Sequence, residues 1–176
     1  PSHNADVSNG AVDSDDGADT IDGGDGSDTL DTSATAADVT VDLAAGTAVS
    51  EDTGRDTLVS IENVVTGDGD DAVIGSDEAN VIDTAGGDDI VVAAAGDDVI
   101  STGDGSDTID AGDGHDIIDA GGGDDTIIVS SHDAFTSLDA VSAHDAVTPP
   151  ASNDAVASGD GDATCAASGD GDDIID

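Results

Sequence analysis

One apolar position flanked by polar ones recurs every nine residues along much of the chain. Seven contiguous nonapeptides share one register over residues 66–128, two more fill residues 14–31, and two looser copies fill 158–166 and 168–176. Side chains of a strand alternate between its two faces, so positions seven to nine of each copy predict a short strand with one inward side chain. That inward eighth position is always apolar, and its occupants are Ile21, Leu30, Val73, Ile82, Val91, Ile100, Ile109, Ile118, Ile127, Cys165 and Ile175.

The six residues that precede each predicted strand have the composition of a turn. The fourth position is Gly in every copy except the one with Glu78, and the sixth is Asp in every copy except those with Asn80 and Ala163. Glycine allows positive φ and a close approach of the backbone to an ion, and aspartate hydrogen-bonds turn backbone. A disordered acidic chain would not keep three positions in phase, so the pattern predicts a repeated turn and strand.

Composition restricts both the core and the partners. The chain has 176 residues and a formal net charge of −42, with Arg55 as the one Lys or Arg and Phe135 as the one aromatic residue. The core must therefore be thin and aliphatic, and the charge opposes compaction unless cations or salt screen it. This charge excludes nucleic acid and anionic membranes as partners, and no apolar run is long enough for membrane insertion. The near absence of basic residues also suggests a halophilic, high-salt habitat.

The predicted turns offer oxygen ligands almost exclusively. Glycine carbonyls and aspartate carboxylates are the donors that Ca²⁺ prefers, in sets of about six to eight. Metals that prefer sulfur or nitrogen ligands are disfavoured, because the turns contain no cysteine and His115 is their one histidine. The turn pattern therefore indicates calcium binding.

The nonapeptide pattern resembles the RTX (repeats-in-toxin, hemolysin-type) calcium-binding repeat GGxGxDxUx. The resemblance covers eleven nonapeptides, among them TGDGSDTID (102–110) and AGDGHDIID (111–119). It implies an all-β fold, a right-handed parallel β-roll (β-solenoid) in which two nonapeptides form one coil and calcium ions lie in the turns on both edges. Turns beginning at 66, 84, 102 and 120 would then stack on one edge, and those at 75, 93 and 111 on the other. That stacking gives about five calcium ions in the central block.

The resemblance also implies which residues bind the calcium ions, through glycine carbonyls and the position-six carboxylates. The expected ligands are Asp19, Asp28, Gly67, Gly69, Asp71, Gly87, Asp89, Gly96, Asp98, Gly103, Gly105, Asp107, Gly112, Gly114, Asp116, Gly121, Gly123, Asp125, Gly169, Gly171 and Asp173. Glu78 and Asn80 replace a glycine and an aspartate, so the site between turns 75 and 93 should be weaker than the rest. The turns at 84 and 93 also lack one or both leading glycines.

Between the repeats lie segments with no nine-residue phase. The predicted organisation is an N-terminal segment (1–13), first repeats (14–31), a non-repeat β segment (32–65), the central roll (66–128), an irregular linker or excursion (129–157) and C-terminal repeats (158–176). In 32–65, Val39, Val41 and Leu43 alternate as a strand and residues 44–46 form a turn. We expect this segment to continue the stack with Leu58, Ile61 and Val64 inward; the alternative is a surface hairpin.

Little in the chain favours catalysis. Cys165 falls in the inward apolar column, and the four histidines, His3, His115, His132 and His144, share no close spacing. Carboxylates that hold calcium are not available for acid–base work, so we expect no enzyme activity. The chain starts at Pro1 without a signal peptide, which suggests a processed product or a fragment.

These features favour a secreted, extracellular or cell-surface structural protein that folds on binding calcium. Solenoids need polar caps and none is visible in the sequence, so we expect the chain to bind itself head-to-tail in a filament, with cell-surface or matrix partners as further candidates. The alternative is a C-terminal RTX folding and secretion module of a larger exported enzyme or adhesin.

Overall fold

The computed structural model describes residues 6–8, 17–51, 54–128 and 146–148. Every regular element in these ranges is a β-strand, as the repeat pattern predicts. None of the described residues forms a helix with the length and hydrophobicity needed to cross a bilayer.

The strands form two sheets that face each other across the core. The six-stranded sheet contains, in spatial order, β1 (Asp6–Ser8), β3 (Thr29–Asp31), β7 (Asn63–Val65), β9 (Val81–Asp83), β11 (Val99–Ser101) and β13 (Ile117–Asp119). The nine-stranded sheet contains β15 (Ala146–Thr148), β14 (Thr126–Ile128), β12 (Thr108–Asp110), β10 (Ile90–Val92), β8 (Ala72–Ile74), β4 (Val39–Asp42), β5 (Thr47–Ser50), β6 (Gly54–Val59) and β2 (Thr20–Asp22).

The chain alternates between the two sheets, and two nonapeptides complete one coil. In the central block each strand pairs in parallel with the strand eighteen residues away, as in Val91 opposite Ile109 and Ile100 opposite Ile118. Equivalent positions of alternate repeats therefore lie side by side. The parallel β-roll predicted by the nine-residue pattern is confirmed.

A single column of aliphatic side chains from each sheet fills the space between the sheets. The position-eight residues from Ile21 to Ile127 are all buried, with Val73, Ile109 and Ile127 fully so. Positions seven and nine face outward, and Ile90 on β10 is 53 % exposed beside Val91 at 1 %. Because each strand contributes one large inward side chain, the core is only two aliphatic layers thick. Cys165 and Ile175 lie outside the described residues.

The segment 32–65 continues the stack, and part of it is a hairpin. Strands β4, β5 and β6 form an antiparallel meander inserted in the nine-stranded sheet between β2 and β8. Leu58, Ile61 and Val64 are buried, as are Val39 and Val41 on the first hairpin strand. The hairpin therefore contributes to the core instead of lying on the surface. At this point the nine-stranded sheet has two more strands than the six-stranded sheet.

Two short strands extend the sheets beyond the central block. In the predicted linker 129–157, β15 pairs with β14 in parallel, with Val147 opposite Ile127. The paired residues are twenty positions apart in the sequence, whereas those of the central block are eighteen apart. In the predicted N-terminal segment, β1 pairs in parallel with β3.

The thin core makes each inward aliphatic side chain important for stability. Ile109→Ala should lower the free energy of unfolding by about 2–5 kcal/mol, because it opens a cavity that the neighbouring coils cannot fill. Ile90→Ala removes the same atoms from an exposed position and should change it by less than about 0.5 kcal/mol. Urea unfolding in saturating calcium measures both, and equal effects of the two variants would contradict the two-layer core.

Candidate metal sites in the turns

The turns stack in two columns, one on each edge of the roll. Turns that lead into the nine-stranded sheet form the first edge, and turns that lead into the six-stranded sheet form the second edge. Isolated bridges join Asp104 to Gly86 and Gly122 on the first edge, and Ala95 to Asp113 on the second. The turns beginning at 66, 84, 102 and 120 therefore share one edge, and those at 75, 93 and 111 share the other, as predicted.

A repeated hydrogen bond joins each turn to the turn one coil earlier. A position-six carboxylate reaches back and accepts the main-chain N–H of the equivalent residue in that earlier turn, as Asp89 does from Asp71 at 2.8 Å. We call each such contact a junction. The described residues contain eight of them, at 2.7–3.0 Å, with Asp56, Glu62, Asp71, Asp89, Asp98, Asp107, Asp116 and Asp125 as acceptors.

Glycine is required where one turn lies against the next. A Cβ atom on Gly105 would overlap the carbonyl oxygen of Gly87, and one on Gly123 would overlap that of Gly105. The main-chain carbonyls of successive turns therefore lie next to the carboxylate column, with no side chain between them.

Two alanines occupy backbone positions that favour glycine. Ala85 and Ala94 have φ values of 64° and 85°, where the equivalent Gly103 and Gly112 have 89° and 87°. The left-handed region costs a non-glycine residue roughly 1–2 kcal/mol. The turns at 84 and 93 thus keep the repeat geometry despite lacking the leading glycines, at a cost in stability.

The position-six carboxylates are buried and only partly hydrogen-bonded. Asp71, Asp89 and Asp107 are 1–2 % exposed, and each uses Oδ1 at a junction. The Oδ2 atoms of these residues and of Asp19 are buried and have no hydrogen-bond partner. Leaving a buried acceptor unsatisfied costs about 1–3 kcal/mol, and more when it is charged. These oxygens are therefore positioned for a cation.

Two carboxylates of the first edge, Asp71 and Asp89, have raised pKa values. Burial raises the pKa of Asp89 to about 6, opposed by hydrogen bonds from the Thr84 hydroxyl and the Asp71 main chain, and the neighbouring charges of Asp107 and Asp71 raise it further. Burial likewise raises the pKa of Asp71, again against a hydrogen bond from a threonine, Thr66. The metal-free column is thus an unfavourable environment for its own charges.

The donor set fits calcium. The residues that would hold the ions are the position-six carboxylates together with main-chain carbonyls of the facing turns, which are all hard oxygen donors. In the described part of the chain no group of three or more His, Cys, Asp or Glu side chains is placed to hold a metal. Carbonyls must therefore supply much of each ligand set. A bound Ca²⁺ would supply positive charge between carboxylates that repel each other.

The structure places the predicted ligands in two sets. The first edge holds Asp19, Gly67, Gly69, Asp71, Gly87, Asp89, Gly103, Gly105, Asp107, Gly121, Gly123 and Asp125. The second edge holds Asp28, Gly96, Asp98, Gly112, Gly114 and Asp116. Gly169, Gly171 and Asp173 lie outside the described residues, and their ligand role stays a prediction. His115 is exposed, while the other three histidines also lie outside these residues.

Sequence reasoning missed two junction carboxylates, both in segment 32–65. Oδ1 of Asp56 accepts the N–H of Asp19 at 3.0 Å, and Oε2 of Glu62 accepts the N–H of Asp28 at 2.9 Å. A signal for the first existed, because Gly54, Asp56 and Leu58 occupy positions four, six and eight of a nonapeptide spanning 51–59. Glu62 had no such signal, since its turn is short and lacks glycine.

The same segment contains a further turn that mimics a repeat. Residues 34–42 pair with 66–74 as one coil does with the next, and the N–H of Val39 donates to Oδ1 of Asp71 at 2.7 Å. Val39 stands at position six, so this turn brings main-chain groups to the first edge but no position-six carboxylate. Its one carboxylate contact is at position five, where Oδ1 of Asp38 accepts the N–H of Asp70 at 3.0 Å. Because alanine and threonine occupy its glycine positions, the repeat pattern did not reveal this turn.

The Asn80 turn differs from its neighbours in the direction of its side chain. Its main-chain N–H donates to Oδ1 of Asp98 at 2.8 Å, so the junction with turn 93 is formed normally. Its side-chain amide points to the preceding turn, where Nδ2 donates to the main-chain carbonyl oxygen of Glu62 at 2.7 Å. That the site between turns 75 and 93 binds calcium more weakly than the other sites stays a prediction.

The raised pKa of Asp89 predicts how the metal-free protein responds to pH. Because the folded-state pKa is about 6 against 3.8 when unperturbed, the folded chain binds this proton more tightly. The resulting stabilisation is complete below about pH 4 and is lost as the pH rises through about 6. In chelator, the melting temperature of the wild type should therefore rise on acidification more steeply than that of Asp89→Asn. Parallel pH profiles of the two proteins would contradict the shift at Asp89.

The family model of the RTX calcium-binding nonapeptide repeat (4 copies) matches residues 12–34, 65–100 and 93–127. The comparison with curated proteins gives no match. The matched residues include the central turns of both edges and the first repeats. Residues 12–34 and 65–127 of this chain are therefore RTX calcium-binding nonapeptide repeats, a repeat type that binds calcium.

Proposed function

We propose that the chain is a secreted calcium-binding structural protein that folds when it meets calcium outside the cell. The observation that supports this most is the column of buried position-six carboxylates, stacked one coil apart in a chain whose one basic residue is Arg55. Without cations, repulsion between these carboxylates destabilises the folded chain. With cations bound between them, the same carboxylates stabilise it. Calcium binding by the repeats supplies the cation that the column needs.

The energetic reason is the balance between charge and core. Two carboxylates about 5 Å apart repel by roughly 3 kcal/mol at an effective dielectric constant near 20. Several such pairs add up to a large part of the 5–15 kcal/mol that stabilises a typical domain. The two-layer aliphatic core has little surplus to offset this repulsion. Each ion that binds only the folded chain adds about 2.7 kcal/mol at one hundred times its dissociation constant.

The same balance fits export. Calcium sites of extracellular modules have dissociation constants of about 10⁻⁴–10⁻³ M, far weaker than the sites of cytosolic buffers. A chain with sites of that strength stays unfolded where calcium is scarce and folds where it is plentiful. Carboxylates that hold calcium do not act as acids or bases, so the proposed role is structural and not catalytic.

The open ends of the sheets support assembly of chains end to end. Among the described strands, β13 closes one end of the six-stranded sheet and β2 closes the opposite end of the nine-stranded sheet, each paired on one side. Unpaired strand edges are ready to pair with another chain. Successive coils run parallel, so a second copy can continue the stack without a change of direction. Such a filament is compatible with cell-surface or matrix partners.

Calcium should control folding through the buried carboxylates. We expect a strong strand signal in circular dichroism and a high melting temperature in calcium, and a much smaller strand signal and a lower melting temperature in chelator at low salt. Asp107→Asn should raise the calcium concentration needed for folding, because it removes a buried junction carboxylate. Asp104→Asn changes an exposed carboxylate of the same turn and should leave that concentration nearly unchanged. Folding of the wild type that chelation does not affect would overturn the proposal.

Assembly should depend on calcium and not on charge screening alone. Sedimentation velocity and electron microscopy should show chains longer than the monomer in calcium and monomers in chelator. Magnesium at equal concentration screens charge similarly but demands octahedral geometry, so it should support less assembly. A strictly monomeric calcium form would refute stacking and favour the alternative, a folding and secretion module of a larger exported protein.

A further inference from the structure

One contact between stacked turns on the second edge is formed without a carboxylate. At eight junctions an Asp or Glu side chain reaches back to the preceding turn. Between the turn 60–62 and the turn 75–80 the corresponding residue is Asn80, which is 1 % exposed. An amide carries no charge and presents hydrogen-bond donors where the other junctions present a carboxylate oxygen.

The amide of Asn80 is hydrogen-bonded at both of its polar atoms. Its Nδ2 donates to the carbonyl oxygen of Glu62 at 2.7 Å and to Oγ of Ser76 at 3.2 Å. Its Oδ1 accepts the main-chain N–H of Ser76 at 2.7 Å. One N–H donor thus points at the main-chain oxygen of the preceding turn, the kind of group that would otherwise coordinate a cation.

A second amide extends this neutral contact to the coil before. Nδ2 of Asn63 donates to Oγ of Ser27 at 3.0 Å and to the carbonyl oxygen of Asp28 at 3.3 Å. Its Oδ1 accepts the main-chain N–H of Val81 at 2.9 Å. Together the two amides connect three successive coils through hydrogen bonds that need no ion.

A comparison with an aspartate at position 80 explains why this contact needs no metal ion. An aspartate at position 80 would place an anionic oxygen near the carbonyl oxygen of Glu62, and two facing acceptors need a cation or a proton between them. The asparagine supplies N–H groups in that place. Its buried polar atoms are already satisfied, so a cation would gain few ligands and would have to break these bonds.

We infer that Asn80 replaces a cation at this contact, so that it forms without calcium and sets the number of calcium sites on the second edge. This inference rests on the proposed function, because it assumes that the carboxylate junctions take up calcium. The coils on either side of Asn80, residues 60–83, then stay joined in chelator. The coils of residues 93–128, which carry carboxylate junctions on both edges, do not.

Reciprocal variants on the second edge test the exchange of amide and cation. Asn80→Asp should bind one more calcium ion per chain than the wild type in calorimetric titration. Asp98→Asn makes the opposite change at the next junction and should bind one fewer. Hydrogen exchange in chelator should show residues 60–83 of the wild type more protected than 93–128, and Asn80→Asp should lose that protection. An unchanged calcium number in Asn80→Asp, or equal exchange of the two regions in the wild type, would overturn the inference.

A third variant separates a role in metal exclusion from simple stability, and also covers the case in which Asn80→Asp does not fold. Asn80→Ala removes the amide without adding a charge, so the number of bound ions should stay the same. Protection of residues 60–83 in chelator should fall by about 5–30-fold, the factor expected for losing 1–2 kcal/mol of hydrogen bonding. Gain of an ion by Asn80→Ala would contradict the inference. If the wild type binds no calcium at all, the proposed function fails first.

Discussion

The fold depends on burying one carboxylate at each turn of a chain that has almost no basic residues. Each of these carboxylates accepts a main-chain N–H from the coil before, and this bond holds successive turns in register, as between Asp107 and Asp89. The bond uses one oxygen and leaves the other buried without a hydrogen-bond partner at Asp71, Asp89 and Asp107. A cation between the turns would satisfy that oxygen and offset the repulsion along the column. In the function that we propose, the same contact that sets the register therefore also makes the fold respond to calcium.

Other features of the roll follow from this close stacking. Carbonyl groups of adjacent turns approach so closely that a Cβ on Gly105 would overlap Gly87. Where the sequence lacks glycine, Ala85 and Ala94 still adopt positive φ, because the stacked turns on either side impose it. The core adds one aliphatic side chain per strand, so it is thin for a chain that carries a formal charge of −42.

The two edges differ in how evenly they use carboxylates. On the first edge, Asp71, Asp89, Asp107 and Asp125 follow one another at one-coil intervals. On the second edge, the column passes through Asn80, whose amide donates to the carbonyl of Glu62. Over residues 66–128 the position-six column of the second edge is therefore interrupted once by an uncharged side chain, and that of the first edge is not.

The sequence by itself determined the repeating unit, because contacts between identical coils recur at a fixed spacing. The inward column and the glycine turns follow from it, and the eighteen-residue register follows from its resemblance to a known repeat. Only the tertiary structure decided the contacts across segment 32–65, where the hairpin separates Asp19 from Asp56 by 37 residues and Asp28 from Glu62 by 34. Nor could a pattern show that Asn80 faces Glu62. A side chain's neighbour in an adjacent coil depends on the length of chain between them, and insertions change that length without changing the local residues.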